Sequence, residues 1–207
     1  MKITSVEICT VVVPTIPGRV HSPECVPETG WDQVPKHILR LNTDTELIGL
    51  GETGRGMSIE EVREGARLLL GKDPEALTLQ NIYSNRFDGA ETFPDIAKGP
   101  AYDAFEMAVF DLVGHARQLP VHALLGGAVR DRVRADYWMG QQTPEDGKRT
   151  VERALEHGFK GIKIKCKIEE PMVARLEAMR EVAGVDFKVT VDPNERFCTA
   201  EQTIELA

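Results

Sequence analysis

No apolar run in this chain approaches the roughly 18 to 20 residues needed to cross a bilayer, so the sequence predicts no membrane-spanning helix. The opening Met1-Lys2-Ile3-Thr4-Ser5-Val6-Glu7 places an acid where a secretory leader would need its apolar stretch. Clustered cysteine is lacking too. Cys9, Cys25, Cys166 and Cys198 lie far apart and form no C-x-x-C pair, which argues against a structural zinc site and fits reduced thiols in a reducing compartment. His21, His37, His115, His122 and His157 show no H-x-x-x-H pairing, so a zincin has no support. Excess positive charge is absent as well. The formal net charge of -8 leaves no electrostatic footprint for nucleic acid or an anionic membrane surface. A cytoplasmic location is the expectation.

What is present reads as an ordinary globular protein of 207 residues, 42% hydrophobic and 28% charged, long enough for one large domain or two small ones. Ile3 to Val13 is rich in Val, Ile and Thr and stops at Pro14, which predicts a strand. Pro14 to Pro35 is turn-rich and irregular, and such a stretch inside a compact chain is either a functional lid or a surface loop. His37 to Leu41 and Leu47 to Glu52 predict two strands joined through the polar turn Asn42-Thr43-Asp44-Thr45. Helices follow. Ser58 and Glu61 form a capping box ahead of Val62, Ala66, Leu69 and Leu70. A second helix is expected over Leu77 to Asn85 and a third from about Pro100 to Arg117, ended by Leu119-Pro120.

From Arg132 the rhythm becomes strand, helix, strand, helix. Strands are predicted at Val133 to Met139, Lys160 to Lys167 and Phe187 to Asp192. Helices are predicted from Pro144 to His157, capped by Thr143, from Glu169 to about Ala183, and from Thr199 onward. Three βα units with short links argue for a parallel sheet, either doubly wound or part of a (β/α) barrel. A closed barrel takes ~250 residues, and this stretch supplies roughly three eighths of one.

Alternate side chains of a strand share a face, so Lys163 and Lys165 point one way while Ile162 and Ile164 point the other. Lysines on a buried strand face need partners. They mark either a solvated edge strand or a site. Asp192 ends its strand beside them, where barrel sites sit, although Asp-Pro-Asn is also a turn former. A carboxylate is a hard oxygen ligand suited to Mg²⁺, and clustered lysines lower one another's pKa, which suits one of them to act as a base.

The runs Ala101-Tyr102-Asp103-Ala104-Phe105-Glu106-Met107-Ala108-Val109-Phe110-Asp111-Leu112-Val113-Gly114 and Pro120-Val121-His122-Ala123-Leu124-Leu125-Gly126-Gly127 resemble the junction helix of the enolase superfamily. More narrowly, the resemblance is to the mandelate racemase/muconate lactonizing group. Gly161-Ile162-Lys163-Ile164-Lys165 is similar to its Lys-x-Lys strand, Val191-Asp192-Pro193-Asn194 to its third strand, and Gly49-Leu50-Gly51-Glu52 to its N-terminal hairpin. The resemblance implies an α+β capping domain (residues 1–127) followed by a truncated (β/α) barrel of about three βα units (residues 128–207). It implies abstraction of the proton next to a substrate carboxylate, with Mg²⁺ stabilising the enediolate, as in a racemase, epimerase, cycloisomerase or acid-sugar dehydratase. Lys165 would be the base, Lys163 its neighbour on the carboxylate, Asp192 a metal ligand, and Asn194 a group supporting the metal or the substrate. The implied partner is a small carboxylate substrate, and the group's habits make a homo-oligomer an option.

The group's other metal ligands lie on later strands, so little turnover is expected of these 207 residues alone. A non-catalytic homologue serving as an interaction or dimerisation module is the alternative, and a Schiff-base lysine aldolase is a third. Gly49-Leu50-Gly51-Glu52-Thr53-Gly54 also satisfies G-x-G-x-x-G, but its helix cap at Ser58 comes too late for a dinucleotide site. Glu52, Thr53 and Arg55 fit better as a capping loop facing the barrel mouth. Arg19, His21 and Trp31 in the long loop are candidates for substrate selection, or plain surface and packing residues.

Overall fold

The computed structural model describes residues 1–16, 18–25, 33–77, 101–167, 170–194 and 199–206. Trp31, Cys198 and nearly all of the helix expected over Leu77 to Asn85 lie outside them. The chain divides into two compact units: Met1–Val13 with Val34–Asp131, and Pro14–Gln33 with Arg132–Ala207. The expected boundary at 127/128 treats the long loop as part of the first domain. The loop instead clusters with the second unit, because its hydrogen bonds go to the end of that unit's first strand.

In the first unit, strands β1 (Ile3–Pro14), β2 (Gln33–Thr43) and β3 (Ile48–Glu52) form a sheet in the order β1-β2-β3. β2 and β3 pair antiparallel, with Leu39 opposite Gly51 and Leu41 opposite Gly49. Helix α1 (Ile59–Leu69) starts at the expected capping box, both halves of which are formed between Ser58 and Glu61. Its buried stripe is Val62, Ala66 and Leu69. A 3-10 turn at Pro74–Leu77 follows. Helix α2 (Tyr102–Arg117) ends where Gln118 turns left-handed at φ 53° and its N–H caps the Gly114 and His115 carbonyls. A short helix α3 (Val121–Leu124), which the periodicity does not reveal, comes after Pro120.

β3 and α2 approach closely because the strand is bare. A Cβ on Gly51 would collide with the Ala104 carbonyl, and one on Gly49 with the Ala108 carbonyl and Leu112. Asp111 accepts the free Leu50 N–H at 2.9 Å, so the helix also satisfies the strand's outer edge. The core here gathers Ile3, Leu39, Leu41, Phe105, Leu112 and Val113.

The second unit alternates β4 (Tyr137–Met139), α4 (Pro144–Glu156), β5 (Gly161–Lys165), α5 (Met172–Ala183), β6 (Lys188–Asp192) and α6 (Ala200–Leu206). The strands are parallel in the order β4-β5-β6. β4 is shorter than the expected Val133–Met139. Val133 is 79% exposed, and Arg134 uses its guanidinium on the Lys160 carbonyl, so this stretch has no ladder to join. Ile162, Ile164, Met139, Val151 and Met179 make the core between the sheet and its helices. Arg180 donates to the carbonyls of Gly184, Val185 and Phe187, which fixes the turn that launches β6. No described helix is long and apolar enough to cross a membrane.

Candidate active site

The lysine-bearing strand is the central one of the second sheet, not an edge. Ile162 and Ile164 are fully buried on the helix side, while Lys163 and Lys165 are half-buried on the other. The register sets Lys165 directly opposite Asp192 and Lys163 opposite Thr190, at the C-terminal ends of both strands. Both ammonium groups reach the same oxygen: Lys163 Nζ and Lys165 Nζ each lie 2.6 Å from Asp192 Oδ2. Lys165 Nζ also donates to Asn194 Oδ1. Asn194, at φ 48°, closes the turn by donating its backbone N–H to Asp192 Oδ1 at 3.1 Å. The bonds from Lys163 first, then from Lys165 and the Asn194 N–H, hold the Asp192 carboxyl far below the usual carboxylate range. Asp192 is therefore an anion at any physiological pH.

The loop's described part lies along the end of β4. Gly140 N–H donates to the Val20 carbonyl at 2.8 Å, and Ser22 N–H to Gln141 at 2.9 Å. The Ser22 hydroxyl donates to Asp146 and accepts the Thr143 N–H at 3.0 Å, which ties it to the first turn of α4. Ser22 is 1% exposed and His21 8%, so both are packed in place. Gln142, also buried, donates to the Arg19 carbonyl at 3.3 Å and accepts from Thr150 at 2.8 Å.

The structure thus brings Lys163, Lys165, Asp192 and Asn194 together. Arg19 and His21 lie in the docked segment of the same unit. Glu52 and Arg55 belong to the first unit, where Glu52 pairs with Lys36 at 2.6 Å. Burial raises the Cys25 thiol and pushes Cys166 up to about 11, so neither is a ready thiolate.

Asp192 and the Asn194 amide oxygen are hard oxygen donors of the kind Mg²⁺ takes. Among the described residues no group of three His, Cys, Asp or Glu side chains gathers to hold a metal. The residues present therefore fit one carboxylate ligand of such a site, with Asn194 beside it.

No family model matches the chain. Individual relatives do. A D-galactonate dehydratase of Variovorax paradoxus is 34% identical over 160 residues, covering 73% of this chain and 40% of the relative. A solved enolase of Streptomyces coelicolor is 30% identical with a TM-score of 0.71, covering 94% of this chain and 52% of its own. The dipeptide epimerase of Cytophaga hutchinsonii, solved with Mg and D-Ala-L-Val, is 25% identical with a TM-score of 0.75, covering 99% and 55%. The chain belongs to the mandelate racemase/muconate lactonizing group of the enolase superfamily. Its relatives are enzymes: racemases, epimerases and dehydratases. The chain spans about half the length of these superfamily relatives or less.

Sequence reasoning missed Arg175 and the pairing of Ser22 with Asp146. Arg175, in α5, is 1% exposed yet charged. The signal was its spacing, since Met172, Arg175, Leu176 and Met179 form a single helical stripe and a charge in that stripe is out of place. Ser22 and Asp146 meet across 124 residues of chain, and no local pattern announces such a pair.

Proposed function

We propose that this chain supplies the capping domain and first strands of a Mg²⁺-assisted enzyme that removes a proton from the carbon next to a substrate carboxylate. The observation that carries the reading is the convergence of two ammonium groups of a central parallel strand on one strand-end carboxylate at 2.6 Å. Lys165, in contact with both Asp192 and Asn194, is the base, and Lys163 orients the substrate carboxylate. Asp192 is a metal ligand, and Asn194 fixes its carboxylate through the backbone N–H. Mg²⁺, when bound, supplies positive charge against which negative charge on the substrate carboxylate builds up. Asp192 would hold the cation, and Lys165 Nζ would take the α-proton while the C–H electron pair moves toward the substrate carboxylate.

Relatives named for galactonate and for dipeptides both handle carboxylate-bearing molecules, which supports a small carboxylate as the substrate class. Arg19 and His21, and Glu52 and Arg55 in the first unit, are the specificity candidates. With one carboxylate ligand in hand, these 207 residues are expected to exchange a substrate α-proton with deuterium only marginally. The reading is tested by Mn²⁺ as a paramagnetic probe: it should broaden NMR signals of residues 163–165 and 190–194, and Asp192→Asn should abolish this. Broadening that maps elsewhere would sink the assignment of Asp192. Stable self-association without any exchange would favour a non-catalytic interaction module.

A further inference from the structure

We propose that Arg175 is a positioning residue for Lys165. Its guanidinium is seated behind the C-terminal ends of two neighbouring strands. Nη1 donates to the Gln142 carbonyl at 3.2 Å and Nη2 to the carbonyl of Lys165 itself at 3.1 Å. Nη2 also pairs with Glu170 at 3.2 Å, and Glu170 in turn accepts from the Gln141 side chain. One buried cation therefore joins Gln142 in the link after β4, the last residue of β5 and the link into α5.

A buried guanidinium is costly to leave unpaired, and its rigid fork gains most when several acceptors lie in its plane. Two of the acceptors here are main-chain carbonyls, one on the last residue of β5 and one three residues past β4. Fixing the Lys165 carbonyl fixes the peptide plane from which that side chain departs. The ammonium is then held over Asp192 and Asn194 by its own backbone as well as by its contacts. Lys163, two residues earlier and inside the ladder, receives no such bond from the described residues. Arg175 thus acts on one of the two lysines and not on the other.

The inference rests on Lys165 being the base, but its test reads geometry in the metal-free chain and needs no turnover. The side-chain ammonium resonances of Lys163 and Lys165 are recorded by ¹H–¹⁵N NMR and assigned with Lys163→Arg and Lys165→Arg. In Arg175→Met, proton exchange at the Lys165 ammonium is expected to accelerate roughly tenfold or more, the effect of losing a charge-assisted bond, with Lys163 unchanged. Arg175→Lys keeps a charge facing Glu170 but cannot bridge both carbonyls, and should show a smaller loss confined to Lys165. A folded variant with Lys165 unaltered overturns the proposal, as does equal loosening of both lysines. If neither variant folds, Arg175 is a core-building residue and the positioning role is lost. Failure of the Mn²⁺ experiment would leave this result standing, so the two readings fail separately.

Discussion

Ser22 is a small residue with a large share in the second unit. Its hydroxyl serves both Asp146 and the Thr143 N–H, and it is almost wholly buried. Ser22→Ala should cost about 1–3 kcal/mol, because buried polar groups are left without a partner. The loss carries a pH signature. The Ser22 bond, followed by Arg149, holds the Asp146 carboxyl below the ordinary range against an opposing push from burial. A depressed carboxylate contributes its full stability above the unfolded value of about 3.9, and loses it as pH falls through the folded value. The gap between wild type and Ser22→Ala, measured by urea unfolding, is therefore expected to be widest above pH ~4 and to shrink with acid. A gap that grows with acid would contradict the arrangement.

At the scale of elements, the bareness of β3 decides how closely α2 can pack. Gly51→Ala must push a Cβ into the main-chain carbonyl of Ala104, which no side-chain rotation can relieve. It is expected to cost about 3 kcal/mol or more, whereas Gly54→Ala, with nothing nearer than Met57 Cε at 4.0 Å, should stay within ~0.5 kcal/mol. Urea midpoints of the two variants check this directly. Elements whose signals are local were legible in the sequence: the Ser58/Glu61 box, Thr143 and Pro144 at the start of α4, and the alternation of Lys163 with Ile164. The face shared by Lys163 and Lys165 followed from strand period, while Asp192 was placed beside them by its position at the end of the next strand. The start of β4 was not legible, because Val133 to Asp136 has strand-like residues but, among the described residues, no neighbouring strand pairs with it. Arg175 was hidden for a related reason: a helical arginine usually faces water, and only the ends of β4 and β5 reveal why this one does not.

For the whole molecule, the chain leaves the first unit after Val13 and re-enters it at Val34, lending the intervening stretch to the second. Replacing residues 18–25 with glycines should therefore loosen the unit that is remote in sequence. Amide exchange in α4 is expected to quicken roughly tenfold or more, with the α2 amides of residues 104–113 unchanged. Equal acceleration in both would mean that the stretch belongs to neither unit in particular.

The pairing of Ser22 with Asp146 also sets an order of events during synthesis. The two residues are separated by 124 positions, so at a typical pace of 5 to 20 residues per second the serine is made roughly 6 to 25 s before its partner. β1 and β2 flank that stretch, and all three strands of the first sheet are made before α4. The first unit can therefore assemble on the ribosome while a buried-to-be serine and histidine still face water. A chaperone that engages this nascent chain would meet residues 18–25 in that interval, and translation of α4 would end it.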